Sequence, residues 1–386
     1  MDYKLYRWGC NGQGQLGNGT TTCCGIATQM PCIGFASITA GGLATYGIKD
    51  DKSLWAWGNG GGGELGDGTK NSRSSPIQIP GNWTLISAGL YVAAGIQIDG
   101  SLWTWGRNPN GFIGDGTIIS KSSPIQIPGI WTCISVGIHE RIAGIKSDCT
   151  LWTWGYNSPG HTSSPIQIPG TWKCVFTTGN GSFAIRTDNT SWYWGCNYYN
   201  NAGLGTSGTI LSYSSPVQVP GNWKCFAGSA ITSHGIKTDG TLWGWGGNCC
   251  GQVGNGVATP TGTIQTPVQI PGLWSVIGGQ GIGALDPMST IGIKCDGSLY
   301  QWGRYRSPTG TVLLASSPIL ILSDLSWIYA SMGTCHLIAL SNEDAFPPPP
   351  PPPPPKINSR GSWTLWDVHE RVIGNEWSNY DPTIDE

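Results

Sequence analysis

The stretch Ser74 to Gly106, SSPIQIPGNWTLISAGLYVAAGIQIDGSLWTWG, holds one copy of each part that recurs along this chain of 386 residues. It divides into SSPIQIPG, NWTLISAG, LYVAAGIQI and DGSLWTWG, read here as four short strands, A to D. Ile77 and Ile79 alternate with polar neighbours after Pro76, strand B runs from Trp83 to Gly89, and Trp103 and Trp105 alternate along strand D. A period of two is the mark of a half-buried strand. Asp99-Gly100 joins C to D and recurs as Asp239-Gly240 and Asp296-Gly297. That pair is preferred in two-residue hairpins with positive φ.

Working outward, Trp-Gly pairs end the D segments at Trp8, Trp57, Trp105, Trp154, Trp194, Trp245 and Trp302, spaced 49, 48, 49, 40, 51 and 57 residues. A period near fifty marks a solenoid or a propeller. The 60 Gly and 21 Trp fit tight turns between short aromatic strands. A four-stranded unit cannot bury both its faces alone, so neighbouring units stack, and seven without polar caps close into a ring. The expected fold is all-β: a seven-bladed β-propeller of four-stranded antiparallel blades over residues 1–346.

The seventh unit has its A, B and C segments but runs into Ser341-Asn342-Glu343-Asp344 without a Trp-Gly strand. YKLYRWG, Tyr3 to Gly9, has the D pattern without a preceding A, B or C, so residues 3–9 are expected to complete the last blade. GSWTLW at Gly361 to Trp366 competes for that slot. In an antiparallel unit the short A–B and C–D turns share one face. The B–C and D–A loops, variable in length and sequence, share the other, which is the expected binding surface.

WGCNGQGQLGNGT (Trp8 to Thr20), WGGNCCGQVGNG (Trp245 to Gly256) and GTCHLIAL (Gly333 to Leu340) resemble repeats of the regulator of chromosome condensation family, and the resemblance covers residues 1 to about 346. It implies a seven-bladed propeller that acts by binding. The eukaryotic founder is a nucleotide-exchange factor for a small GTPase on chromatin, and a bacterial relative inhibits β-lactamases. The SSPIQIPG and NWT segments resemble the microbial and viral versions of the repeat. No basic N-terminal arm for DNA is present, and no loop aligns with the family's GTPase-contacting segments.

The residues offer little for chemistry. Asp51, Asp99, Asp148, Asp188, Asp239 and Asp296 share one hairpin position, which turn geometry explains without a carboxylate ring. Cys133, Cys174 and Cys225 each stand two residues after a strand B Trp and read as small apolar packing residues. Cys23-Cys24 and Cys249-Cys250 lack the CxxC spacing and neighbouring His of a zinc site and read as loop thiols. No catalytic residue, metal or cofactor is assigned. Better binding candidates break the repeat on the variable face: His139-Glu140-Arg141, Tyr198-Tyr199-Asn200 and Arg304-Tyr305-Arg306 combine aromatics with Arg, the residue types that anchor interfaces.

Pro347 to Pro355 are nine consecutive prolines, expected to form a polyproline II rod about 28 Å long. Residues 356–386 are too few for a core but carry Trp363, Trp366, Ile373 and Trp377, read as a docking tail for another protein. With 20 Lys and Arg against 22 Asp and Glu, no electrostatic footprint for nucleic acid is present, and no run is long enough to span a membrane. Met1 leads into repeat sequence without a leader, so cytoplasmic synthesis with reduced thiols is expected. The expected function is a non-enzymatic binding and structural module of a virus particle. It would be a phage tail, fibre or capsid decoration that displays the ring for adhesion or assembly and holds other particle subunits through the tail, with a possible host-surface ligand on the variable loop face. The alternative is a propeller that inhibits or regulates a single enzyme or small GTPase.

Overall fold

The computed structural model describes residues 3–31, 34–157, 160–205, 211–259, 262–280, 288–306, 312–321 and 325–342. Regular structure among them is entirely β, in 26 strands, and every strand pair is antiparallel. One blade consists of Phe35–Ala40, Ala44–Lys49, Leu54–Gly58 and Arg73–Ile79, hydrogen-bonded in that order. In repeat terms this is B, C, D and then A of the next repeat. The blade is therefore one strand out of phase with the repeat as first divided. Strand A belongs to the outer edge of the preceding blade, where its exposed side chains suit an edge. The parity of the turns survives this correction.

Counting this as blade 1, blades 2 and 3 form one seven-stranded sheet, and so do blades 5 and 6. In each case the outer A strand runs on into the next inner B strand, as Lys121–Val136 and Thr263–Gln280. Blade 4 begins at Trp172–Thr177 and ends at Ser212–Val219. Blade 7 takes Trp327–Met332 and His336–Ser341 from one end of the propeller sequence and Lys4–Gly9 and Cys24–Gln29 from the other. Lys4 pairs with Ser341 and Gly9 with His336. Two N-terminal strands, where one was expected, thus sit on two later ones. The B strands contact one another from blade to blade, and that of blade 7 contacts that of blade 1. The competing segment Gly361 to Trp366, the proline run and the docking-tail residues Trp363, Trp366, Ile373 and Trp377 lie outside the described residues.

The core lies between blades. Ten Trp side chains are under 2% exposed. Each buries on the order of 200 Å², roughly 5 kcal/mol of transfer free energy. Each B strand slips register just after its aromatic residue, a β-bulge repeated seven times. Trp83 pairs with Gln97 but Leu85 with Ile96, so residues two apart face opposite layers. Trp83 packs with Tyr46 and Trp105, whereas Leu85 packs with Ile96 and Trp131. The same bulge sends Cys133, Cys174 and Cys225 into the layer opposite their Trp neighbours, and burial pushes the Cys225 thiol up to about 11.

On the short-turn face the Asp-Gly connection is not a two-residue hairpin. Its second residue alone has positive φ: 79° at Gly100, 81° at Gly240, but also 68° at Lys52 and 64° at Cys149. The Gly100 N–H bonds to the Gln97 carbonyl at 2.9 Å, closing a turn followed by one left-handed residue. The Asp carboxylate then accepts from the next Ser or Thr, and that hydroxyl accepts the indole N–H of a D strand Trp, as in Asp239, Thr241 and Trp243 at 2.6 and 2.9 Å. The Ser101 hydroxyl and N–H hold Asp99 below the usual carboxylate range. A cation from strand C lies over the same ring: Lys237 Nζ is 3.9 Å from the Trp243 centroid and 5.4 Å from that of Trp223. The six turn carboxylates are thus engaged in holding hairpins.

Candidate binding face

The opposite face is built on one backbone device used in all seven blades. The residue after each D strand Trp-Gly donates its N–H to the carbonyl of the residue before strand C. The pairs are Asn59 to Leu43 (2.8 Å), Arg107 to Tyr91 (2.9 Å), Tyr156 to Glu140 (3.3 Å), Cys196 to Asn180 (2.8 Å), Gly247 to Ile231 (2.8 Å), Arg304 to Met288 (3.2 Å) and Cys10 to Cys335 (2.8 Å). The Gly of each Trp-Gly has positive φ, and at Gly106 a Cβ would sit 2.1 Å from the Tyr91 carbonyl. The signature glycine is the one residue this approach allows. Fourteen backbone positions are therefore alike, while their side chains run from apolar to aromatic, cationic, acidic and sulfur-bearing.

The D–A loops complete this face. Asn11, Asn108, Asn197 and Asn248 each accept an N–H five residues on, from Leu16, Ile113, Ala202 and Val253 at 2.8–3.0 Å. Each loop then lays a glycine on the D strand Trp of the following blade. Blade 3 lacks this loop, since its D strand ends at Asn157 and its A strand starts at Gly160.

Arg141 occupies the space so left. It is fully buried, its Nε donates to the Tyr156 carbonyl at 2.8 Å, its Nη1 lies 3.5 Å from the Trp194 carbonyl, and burial lowers its pKa. Its place is therefore between blades 3 and 4 and not on the surface the sequence reading assigned to it. Asn200 is likewise inside, 8% exposed, with its Nδ2 on Thr263 Oγ1 at 2.7 Å. It has positive φ, which Asn tolerates and which shapes the loop.

The other candidates line the face in three different blades. His139 Nδ1 lies 3.0 Å from Asn180 Oδ1, and Asn180 donates to the Ala230 carbonyl, linking the B–C turns of blades 3, 4 and 5. Glu140 has positive φ and one carboxylate oxygen buried without a partner. Burial pushes its pKa up to about 7 against the opposing pull of Arg107. Tyr198 is 64% exposed, with its ring edge-on to Tyr199 at 5.0 Å. Arg304 and Tyr305 are half-buried, Tyr305 against the layer around Trp274 and Trp302. The Arg306 side chain lies outside the described set.

Sequence reasoning passed over Tyr91 and Arg107. The Arg107 guanidinium stands 5.2 Å from the Tyr91 ring centroid, exposed, with its charge acting on both Glu140 and Glu64. Arg107 follows Trp105-Gly106 as Arg304 follows Trp302-Gly303, so comparing the residue after each Trp-Gly would have found it. Glu64 is buried and accepts the Gly62 N–H at 2.6 Å, and burial raises its pKa. Gln15 and Gln252 accept the equivalent N–H groups, so Glu64 belongs to the loop scaffold.

A closed β-propeller with one constant and one variable face is the class this geometry defines. Residues 3–39, 51–95 and 99–138 match the Regulator of chromosome condensation (RCC1) repeat. Over these residues the chain is similar to the RCC1 repeat, and its propeller fold is the one that repeat builds. No curated protein matches it by sequence. Solved structures similar in fold include yeast RCC1 (Prp20) bound to Kap60, 16% identical over 88% of this chain and 89% of that one with a TM-score of 0.76. Human WBSCR16 is 15% identical over 88% and 99%, with a TM-score of 0.74. Prp20p from Saccharomyces cerevisiae, described with its binding properties to Gsp1p and histones, is 16% identical over 97% and 94%, with a TM-score of 0.76.

Proposed function

We propose that the protein is a non-enzymatic binding module that grips a protein partner with the B–C and D–A face. The ring of seven identical backbone hydrogen bonds carrying dissimilar side chains supports this reading most directly. A rigid frame presents side chains at little ordering cost, which is what specific recognition requires. Arg107 and Tyr198, both exposed, and the half-buried Tyr91 form the aromatic and cationic part of it, in blades 2 and 4. The setting we propose is a virus particle, in which the tail anchors the chain and the ring is displayed. That setting rests on the lean charge, the proline run and the Trp-bearing tail. The alternative reading is a regulator of one enzyme or small GTPase.

Capture of partners by the full chain and by a chain ending at Phe346, identified by mass spectrometry, separates the two settings. Particle subunits held only by the full chain support the first; a single enzyme or GTPase held by both supports the second. The face itself is tested by Tyr91→Ala with Arg107→Glu, set against Ile98→Asp on the short-turn face, where Ile98 is 66% exposed. Loss of the captured partner in the first variant alone is expected. Loss in Ile98→Asp alone would overturn the assignment.

A further inference from the structure

On the variable face, the loops of blades 5 and 6 bring three sulfur atoms together. Cys249 Sγ lies 3.4 Å from Cys250 Sγ and 3.9 Å from Met288 Sδ. Gln252 ties the group: its Nε2 is 3.6 Å from both Cys249 Sγ and Met288 Sδ, and its Oε1 accepts the Cys250 N–H at 2.8 Å. All three sulfur residues are half-buried, so an ion can reach them from solvent. Arg304 stands beside them, bonded through its N–H to the Met288 carbonyl at 3.2 Å.

We propose that Cys249, Cys250 and Met288 form a three-sulfur site for a soft monovalent cation, copper(I). Soft sulfur donors select copper(I), zinc and iron–sulfur clusters, and a thioether beside two thiolates suits the softest of these, copper(I). With metal–sulfur bonds of about 2.3 Å, the sulfurs of a planar three-coordinate site stand about 4.0 Å apart; Cys249 to Met288 at 3.9 Å matches this, and Cys249 to Cys250 at 3.4 Å needs only a side-chain rotation to open to it. Among the described residues no group of three or more His, Cys, Asp or Glu could hold a metal ion, so a zinc-type donor set is not available and the thioether makes the third ligand. Binding displaces two thiol protons to water and involves no change in oxidation state. Two thiolates with one copper(I) leave a single negative charge, which Arg304 faces. The sequence concealed the site because the third donor belongs to a different loop.

The test is an anaerobic titration of the reduced full chain with copper(I) supplied as its bicinchoninate complex. One copper per chain should leave the chromophore, and X-ray absorption should find three sulfur neighbours. Cys250→Ser and Met288→Leu should each weaken retention by roughly tenfold or more, whereas Cys23→Ser should not. Met288→Leu preserves volume and apolarity, so a matching denaturation midpoint confirms that its fold is intact. Copper transfer unchanged in both Cys250→Ser and Met288→Leu, or abolished by Cys23→Ser, would overturn the site.

Discussion

Trp57 donates its indole N–H to the carbonyl of Gln15 at 2.9 Å, across the boundary between blade 1 and blade 7. The pattern repeats as Trp105 to Glu64 at 2.8 Å, Trp245 to Asn201 at 2.8 Å and Trp302 to Gln252 at 2.9 Å. Each of these four D–A loops is thus a clasp on the next blade, and a glycine makes the approach possible. At Gly17 φ is +65° and a Cβ would stand 2.8 Å from the Trp57 ring. Gly17→Ala should cost about 1–3 kcal/mol, combining left-handed strain with displacement of the indole. Gly12→Ala, where a Cβ meets nothing within 4 Å, is the control. Urea denaturation of the two variants checks this, and equal midpoints would remove the clasp from the account.

The closing strand makes a second prediction. Lys4–Gly9 lies between Cys24–Gln29 and His336–Ser341 with an unbroken register to the latter. Leu5 packs with Phe35, Ile338 and Leu340 in the layer between blades 7 and 1. A chain ending at Phe346 should therefore keep the thermal midpoint of the full chain within a degree or two, while one lacking residues 1–30 should lose its cooperative transition. If truncation at Phe346 also abolishes the transition, the segment Gly361 to Trp366 closes the ring instead.

How much of this was open to reading from residues alone depends on whether the constraint is local. The Trp-Gly period is visible because every copy meets the same steric demand, seen at Gly106 against the Tyr91 carbonyl. The blade phase was not visible. Strand A follows D and precedes B with turns on both sides, and nothing in Ser74 to Pro80 says which neighbour it pairs with. The bulge after Trp83 was equally hidden, since it changes register without any characteristic residue. On the variable face Arg304 was found because aromatic and cationic residues cluster beside it, and Arg107, without such sequence neighbours, was not. Arg141 looked like a surface residue because its burial depends on a loop missing from its own blade.

Acid response follows from two buried histidines, each held neutral by desolvation: His234 is lowered to about 4 and His336 to about 3. His336 Nε2 is 2.9 Å from Thr45 Oγ1 and His234 Nε2 is 3.3 Å from the Val253 carbonyl. With the folded pKa depressed, the unfolded chain takes up protons below about pH 6.5 that the native state refuses, so this stability is lost as pH falls from there. Glu140 opposes it. Its pKa is raised, so its contribution is complete below about pH 4.5 and fades as pH rises through about 7. Glu140 offsets only part of the slope that the two histidines contribute between pH 5 and 6.5, and single variants expose the parts. The stability gap between wild type and His336→Gln should shrink by up to about 1.4 kcal/mol per pH unit as pH falls from 6 to 5. Glu140→Gln should shift the slope the other way. Urea midpoints across this range provide the measurement, and parallel profiles for His336→Gln and wild type would show that His336 titrates normally in the fold.

Arg141 distinguishes a space-filling role from an electrostatic one. Its guanidinium meets two backbone carbonyls, while its Nη2 is buried without a hydrogen-bond partner. Burying such a charge is costly, and an apolar side chain of similar length removes that cost while filling the same gap. What it gives up is the bond to the Tyr156 carbonyl, about 1–2 kcal/mol. Arg141→Met should therefore be destabilising by less than about 2 kcal/mol. Arg141→Ala loses the bond and also opens a cavity between blades 3 and 4, where no D–A loop covers Trp194, so it should cost about 3–5 kcal/mol. Denaturation of the two variants side by side decides the matter. If Met is as damaging as Ala, the charge itself is required there, and the guanidinium holds the backbone ends of the shortened loop instead of merely filling the space beneath it.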